Sequence, residues 1–140
     1  GFQPISVNQI ATDELVLAVK VRDAFELCKD ESDEYPIDDK FRDDHNLKSR
    51  TLGNWVIGRD KIHRIRYIIA INTGADNAVV AAYKVSSQYS ESKKNENGRT
   101  RYAFRALSQR DDTLRELNLY KRSLPEIKFG SGSAIAYINH

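Results

Sequence analysis

Two apolar runs separated by a short link constrain this chain more than any other feature. The runs are residues 67–72 and 78–85, and both are rich in Ile, Val and Ala. The link, residues 73–77, contains Gly, Asp and Asn, which tolerate the backbone angles of a tight reversal. Two β-forming runs joined in this way are typical of a β-hairpin. The sequence therefore predicts an antiparallel hairpin at residues 67–85.

Further strand-like runs extend the hairpin into a sheet. They occupy residues 14–21, 52–58, 100–107 and 134–139, and the run at 100–107 alternates with period two. A helix is predicted at residues 112–120, where Leu114, Leu117 and Tyr120 share one face and Asp111 or Asp112 is suited to the N-cap. The predicted fold class is α+β: a small, curled, mostly antiparallel sheet with a few short helices.

Four segments between these runs are rich in polar or charged residues. Residues 29–46 are acidic and contain Pro36, which predicts a long loop, and residues 23–28 are compatible with a short helix. Residues 59–66 are charged, with Ile62 and Ile65 at helical spacing. Residues 86–98 are polar throughout, which predicts a flexible excursion.

Length and composition indicate one ordinary domain, residues 1–140. At 140 residues and 40% hydrophobic content the chain can bury a single core. It has one cysteine, Cys28, so no internal disulfide can form, and we expect a reducing, cytoplasmic location. No run reaches the ~20 apolar residues of a membrane span, so we expect no membrane partner. The start at Gly1 and the absence of Met are compatible with a fragment of a longer protein, such as a recognition module cut from an effector domain.

Charge is distributed unevenly along the chain. Residues 11–46 hold twelve acidic and five basic side chains, a net of −7. Residues 47–140 hold seventeen basic and eight acidic side chains, a net of +9, and the two segments sum to +2. Such a separation favours one surface that faces a polyanion. The alternative is that the two segments neutralise each other within the fold.

Short motifs occur in an order that resembles a known module. They are Gly53 and Trp55; Tyr67 and Ala70; Tyr83, Lys84 and Val85; Arg101 and Phe104; and Ile135, Tyr137 and Asn139. This order resembles a PUA-like β-barrel module, found fused to or encoded beside bacterial and phage nucleases and related in fold to the EVE, ASCH, YTH and SRA groups. The resemblance covers residues 52–139, with a weaker echo in residues 15–21. The acidic stretch 29–44 and the polar loop 86–98 depart from it.

The resemblance implies a nucleic-acid-binding specificity module, with DNA favoured, in a restriction or phage-defence system. Several relatives hold a flipped or modified base, and such a pocket needs an aromatic face, polar groups for the base edge and cations for phosphates. A nuclease partner or fused nuclease domain is implied as well. The candidate residues are Arg50, Trp55, Arg59, Lys61, Arg64, Arg66, Tyr83, Arg99, Arg101 and Asn139, with Lys48, Asn72 and Asn77 as further candidates.

Each of these assignments has a structural alternative. Trp55 and Tyr83 are the stacking candidates, but a lone Trp on a short strand is also a common core or rim residue. The basic run 59–66 either contacts phosphates or is the solvated face of a helix. Tyr67, Tyr102 and Tyr137 lie inside apolar runs and are predicted to be structural.

Catalysis has little support in the sequence, and no catalytic residue, metal or cofactor is predicted. The three histidines are scattered, and Cys28 lies between acidic residues. One nuclease-like pattern exists: Asp111 or Asp112, followed by Glu126 and Lys128. Two alternatives to nucleic-acid binding therefore remain. They are a small metal-dependent nuclease using these residues and a protein-interaction module whose acidic residues 30–44 imitate phosphate.

Overall fold

A computed structural model describes residues 1–21, 47–92 and 100–140. Within these ranges it contains eight strands, three short α-helices and one 3-10 helix. The strands are β1 (Gln3–Pro4), β2 (Leu15–Val21), β3 (Trp55–Val56), β4 (Ile65–Asn72), β5 (Ala78–Ser92), β6 (Arg101–Ala106), β7 (Arg122–Ser123) and β8 (Ile135–Ile138). The helices are α1 (Leu47–Leu52), α2 (Arg59–Ile62) and α3 (Arg110–Glu116), with the 3-10 helix at Val7–Gln9.

The strands form one mixed sheet in the order β1-β7-β5-β4-β2-β8, and β6 joins β3 to the side of β5. Among the described residues five strand pairings are antiparallel, and two, β1 with β7 and β2 with β4, are parallel. The predicted α+β, mostly antiparallel architecture is confirmed. In the described part of the chain the sheet is an open path with β1 and β8 at its ends, so it does not close into the predicted barrel.

The predicted hairpin is confirmed. β4 and β5 pair antiparallel from Tyr67 opposite Lys84 to Asn72 opposite Ala78. In the turn, Asp76 and Asn77 adopt positive φ angles of 52° and 60°, a conformation that Asp and Asn tolerate better than most residues. The Asn77 amide also donates to two carbonyl oxygens of the segment after β7, at 3.0 and 2.9 Å, which ties the turn to the body of the fold.

Alternating side chains divide the interior into two cores, one on each face of the sheet. In β2, Leu15, Leu17 and Val19 enter the first core, whereas Val16 and Ala18 enter the second. Both faces of β2 are buried because helices and loops cover both, which explains its nearly continuous apolar sequence. The first core is covered by residues of α1, α2 and β6, namely Leu47, Leu52, Ile62, Tyr102 and Phe104. The second core is covered by the N-terminal segment, α3 and the residues after it, namely Ile5, Ile10, Leu114, Leu117, Leu119 and Leu124.

The prediction of a flexible excursion at residues 86–98 is wrong for its first half. β5 continues to Ser92, and beyond Val85 its partner is β6, with Tyr89 opposite Phe104 and Ser92 opposite Arg101. The register shifts between Val85 and Tyr89, where β5 leaves β4 and joins β6. Polar residues continue the strand because β6 supplies backbone partners. Residues 93–99 lie outside the described residues.

Several element boundaries also differ from the predictions. The apolar run 52–58 is a strand only at Trp55–Val56, because α1 ends at Leu52 just before it. α2 ends at Ile62, and Ile65 already belongs to β4. α3 begins after Gln109 rather than at either predicted aspartate, and Asn118, with a φ of 62°, lies just beyond its end. The helix predicted at 23–28 and the acidic loop 29–46 lie outside the described residues. No helix in the described ranges is long and apolar enough to cross a membrane.

Candidate nucleic-acid interface

A groove of about 910 Å³ opens between α1, β3 and β6. We call it the α1 groove. Its described lining includes three cations, one amide and the single tryptophan, and it contains no carboxylate. The lining residues are Lys48, Arg50, Leu52, Gly53, Asn54, Trp55, Ala103, Phe104, Arg105 and Ala106. An aromatic face beside several cations is the combination that a nucleotide requires.

The indole of Trp55 has a fixed position at this groove. Its Nε1–H donates to the carbonyl oxygen of Thr51 at 2.9 Å. Thr51 is buried, and its hydroxyl donates to the Leu47 carbonyl at 2.6 Å, so Trp55 is anchored to the last turn of α1. One part of the indole packs against the first core while another lines the groove. Trp55 is therefore a rim residue whose only hydrogen-bond donor is used inside the protein.

The close packing of Gly53 on β6 explains why a glycine lies two residues before Trp55. A β-carbon at Gly53 would lie 2.7 Å from the Ala103 β-carbon and 3.0 Å from its α-carbon, both far inside contact distance. The glycine thus lets the segment before β3 lie directly on β6. Trp55 then pairs with Tyr102. The motif is a packing requirement that places the tryptophan rather than a ligand-binding sequence in itself.

The three cations come from two elements. Lys48 and Arg50 lie on α1, and Arg105 is exposed on β6. Arg50 was a predicted phosphate contact and Lys48 a further candidate, whereas Arg105 and the groove amide Asn54 were missed. The signal for Arg105 was present in the period-two alternation of β6, which buries Tyr102 and Phe104 and leaves the odd-numbered positions on the other face.

Arg101 lines a second, smaller groove that shares Trp55 with the first. This groove has a volume of about 460 Å³, and we call it the β8 groove because the loop before β8 forms one wall. It is lined by Trp55, Val56, Arg101, Ser131, Gly132, Ser133, Ala134 and Ile135. The Arg101 guanidinium donates to the Asn54 carbonyl oxygen at 3.2 Å, which orients it along β3.

The predicted basic cluster at residues 59–66 lies outside the described lining of both grooves. Lys61 pairs with Asp60 at 3.3 Å and lies 5.2 Å from the centre of the Tyr137 ring. The hydrogen bond from Lys61 lowers the pKa of Asp60 below its ordinary value. Arg66 pairs with Glu14 at 3.6 Å and donates to the His63 carbonyl at 2.8 Å. Lys61 and Arg66 therefore have structural partners, while Arg59 and Arg64 are exposed.

Burial contradicts the prediction that Tyr83 stacks on a base. Its side chain has 0% exposure and lies in the first core, opposite Ile68 in the hairpin. The small neighbours Ala81 and Ala82 do not open a site, because both are also fully buried in the centre of the sheet. The Lys48 ammonium lies 6.0 Å from the centre of the Tyr83 ring. Arg99, also predicted as a contact, lies outside the described residues.

The three asparagines proposed for base edges have structural roles. Asn139, with a φ of 65°, donates its amide to the carbonyl oxygens of Thr12 and Glu14, both at 3.0 Å. Asn72 is 4% exposed and accepts from the Gly74 amide at 2.9 Å, while Asn77 holds the segment after β7. An amide that is tied to the backbone of its own chain is a poor reader of a base.

The nuclease-like residues are not on a common strand. Asp112 is exposed in the first turn of α3. Glu126 lies in a turn after β7 and accepts from the Val7 amide at 3.2 Å, and Lys128 is exposed nearby in sequence. Among the described residues no group of three or more His, Cys, Asp or Glu side chains is placed to hold a metal ion. The acidic residues 30–44 of the other alternative lie outside the described residues.

Comparisons with known proteins give no family for this chain. No family model, no curated protein and no solved structure matches it.

Proposed function

We propose that this chain is a nucleic-acid-binding module whose contact surface is the α1 groove. The observation that carries the proposal is Trp55 on a groove whose described lining contains Lys48, Arg50 and Arg105 and no carboxylate. A cluster of basic side chains alone is a common surface feature. The aromatic face among the cations favours a ligand that is both planar and anionic, and a nucleotide has both properties.

The mechanism follows from the anchoring of Trp55. A base stacks on the exposed part of the indole, an interaction worth on the order of 1–3 kcal/mol per base. The bond from the indole N–H to Thr51 holds the ring in place before the ligand arrives, so little side-chain entropy is lost on binding. The α1 and β6 cations hold neighbouring phosphates, and affinity falls steeply with salt because counterions are released.

The biological setting is part of the same proposal. The resemblance to PUA-like barrels favours a cytoplasmic specificity module for DNA in a restriction or phage-defence system, acting with a nuclease partner or fused nuclease domain. Recognition of a modified or flipped base would use the Trp55 face. Asn54 is exposed on the same groove and is the nearest available amide for a base edge.

The single tryptophan makes the test direct. Stacking of a base on Trp55 should quench intrinsic fluorescence, and Trp55 is the only Trp in the chain. We would titrate oligonucleotides that are single-stranded, duplex, unmodified, or carry methylated or hydroxymethylated cytosine, and follow fluorescence and anisotropy together. Trp55→Ala should weaken binding by roughly 5- to 150-fold, the range that the loss of one stacked base corresponds to.

Two outcomes would count against the proposal. Binding that is unaffected by both Trp55→Ala and rising salt would remove its mechanism. Absence of binding at low salt would reject it and favour a protein partner that docks on the acidic segment, which carries most of the −7 charge of residues 11–46. Loss of that partner on neutralising Asp38, Asp39, Asp43 and Asp44 would then identify the docking segment.

A further inference from the structure

We infer that the β8 groove is a second subsite, which holds the backbone of the nucleotide next to the one stacked on Trp55. The ligand is then an unpaired strand that crosses the tryptophan. This inference rests on the proposed function and specifies its ligand. It starts from the observation that Trp55 lines both the α1 groove and the β8 groove.

The cations on β6 extend across both grooves. Arg101 and Arg105 lie four residues apart on one face of the strand, which is about 13 Å at ~3.3 Å per residue. Arg105 lines the α1 groove and Arg101 lines the β8 groove. Ala103 lies between them, under Gly53. A separation of this size allows the two arginines to hold phosphates of different nucleotides.

The far wall of the β8 groove suits a sugar–phosphate backbone better than a base. It consists of the small residues 131–134, where the Ser133 amide donates to the Gly130 carbonyl at 2.9 Å and Gly132 has a φ of 72°. Its side chains are two hydroxyls and a methyl group, so they leave space beside Trp55. The Ser133 hydroxyl donates to the Ile135 carbonyl at 2.8 Å, and the exposed Ser131 hydroxyl offers a polar contact. The described lining holds Arg101 and no carboxylate. Trp55 is the only aromatic residue of that lining, so a second base finds no platform of its own there.

The setting of Trp55 explains why the strand is unpaired. Proteins that unstack a duplex insert a side chain as a wedge between base steps. Trp55 lies on a two-residue strand, half-buried and tied to Thr51, so its ring forms a wall of the grooves rather than a projecting wedge. A base reaches the ring only after leaving its stack. In a single strand the base is already free to stack on Trp55, and the backbone of its neighbour enters the β8 groove without the cost of opening a duplex.

The test uses Ser131, an exposed residue on the far wall of the β8 groove. Ser131→Glu places a carboxylate opposite Arg101, and Ser131→Gln is the matched neutral control of the same size. We would measure the affinity of single-stranded deoxyoligonucleotides of two to eight nucleotides, and of blunt duplexes of the same sequence, by anisotropy and Trp55 fluorescence. Arg105→Ala, in the α1 groove, serves as the test of the proposed function in the same assay.

The expected result is that single strands bind at least tenfold more tightly than duplexes. Ser131→Glu should weaken single-strand binding by about five- to tenfold, since one unfavourable contact between fully solvated unit charges about 4 Å apart is of that size. Ser131→Gln adds the same bulk without the charge and should weaken binding clearly less than Ser131→Glu. If both Ser131 variants bind like the parent while Arg105→Ala weakens binding, the second subsite is overturned and the proposed function survives. Preference for a modified duplex over every single strand also overturns it. Absence of all binding rejects both.

Discussion

The α1 groove and the surface around α3 differ in how their cations are accompanied. Around α3, Arg110 pairs with Asp111 at 3.0 Å, Lys84 with Glu116 at 3.6 Å, and the Arg115 guanidinium lies 3.7 Å from the centre of the Tyr120 ring. In the α1 groove, the described lining brings three cations together with no carboxylate. The difference teaches that a count of basic residues does not locate a binding surface. The placement of cations around the half-buried aromatic face of Trp55 does.

The largest effect, on the free energy of unfolding, is expected at Tyr83, the stacking candidate that the structure buries. Tyr83→Ala removes a large side chain from the first core and should lower the free energy of unfolding by about 3–5 kcal/mol, as truncation of buried aromatics does. Chemical denaturation followed by circular dichroism measures this loss. Trp55→Ala, at the half-buried rim, should cost clearly less stability. Equal costs would mean that Trp55 is a core residue and not a platform.

The next largest effect is expected from Gly53→Ala. The new methyl group would meet Ala103 at 2.7 Å, so β3 must move away from β6. Overpacking of this kind costs about 1–3 kcal/mol, and the emission of Trp55 should shift to longer wavelength as the ring becomes more exposed. Ala103→Gly in the same chain removes the colliding methyl group. The double variant should recover part of the stability and of the emission shift, because the Ala103 α-carbon still lies 3.0 Å from the new methyl group. No recovery at all would show that Gly53 acts in another way.

A smaller effect, on oligonucleotide affinity, distinguishes the α1 groove from the surface around α3. Arg105 and Arg115 are both exposed arginines, the first in the α1 groove and the second on α3. Arg105→Ala should weaken oligonucleotide binding and lower the slope of log affinity against log salt by about one. Arg115→Ala removes the same charge and should leave both quantities unchanged, although it removes a stacked contact with Tyr120. A similar loss in both variants would indicate a diffuse charge effect.

The smallest effect concerns alkaline stability on the two faces of the sheet. Burial raises the pKa of Tyr67 above its ordinary value of 10.0, with a further contribution from its hydrogen bond to Glu116. Burial also raises the pKa of Tyr137. The unfolded chain therefore loses these protons first, so the stability they contribute is complete below about pH 10 and decreases as the pH rises through the folded pKa values. Tyr67→Phe and Tyr137→Phe should each flatten this decrease in pH-dependent denaturation curves. An unchanged profile would contradict the assignment.

The sequence predicted the sheet better than it predicted the site. The sequence predicted strands β2, β4, β5, β6 and β8 because each of them coincides with an apolar run. It predicted the reversal between β4 and β5 from the turn residues 73–77. The continuation of β5 to Ser92 was missed, because pairing with β6 rather than composition holds those polar residues. Closure into a barrel was also expected, and strand-like runs alone do not say which edges meet.

Prediction of the candidate site from the sequence was limited in a similar way. Arg50, Trp55 and Arg101 line the two grooves, but Tyr83 is buried and Asn139 is tied to Thr12 and Glu14. Residue type suggested all five, whereas burial excludes Tyr83 and backbone hydrogen bonds occupy the exposed amide of Asn139. Both depend on which tertiary neighbours each side chain meets. Arg105 was missed because the alternation of β6 shows only which side of the strand it takes, whereas its place in a groove depends on α1 lying across β6, a long-range contact.

The continuity of β5 has a mechanical consequence. One strand of fifteen residues pairs with β4 in the middle of the sheet and, past its register shift, with β6, which lines both grooves. The groove side of β6 is thus attached by an unbroken backbone to the buried β4–β5 pairing at the centre of the sheet. Amide exchange along β6 should therefore slow together with that of the β4–β5 hairpin, so that the grooves and the hairpin open as one cooperative unit.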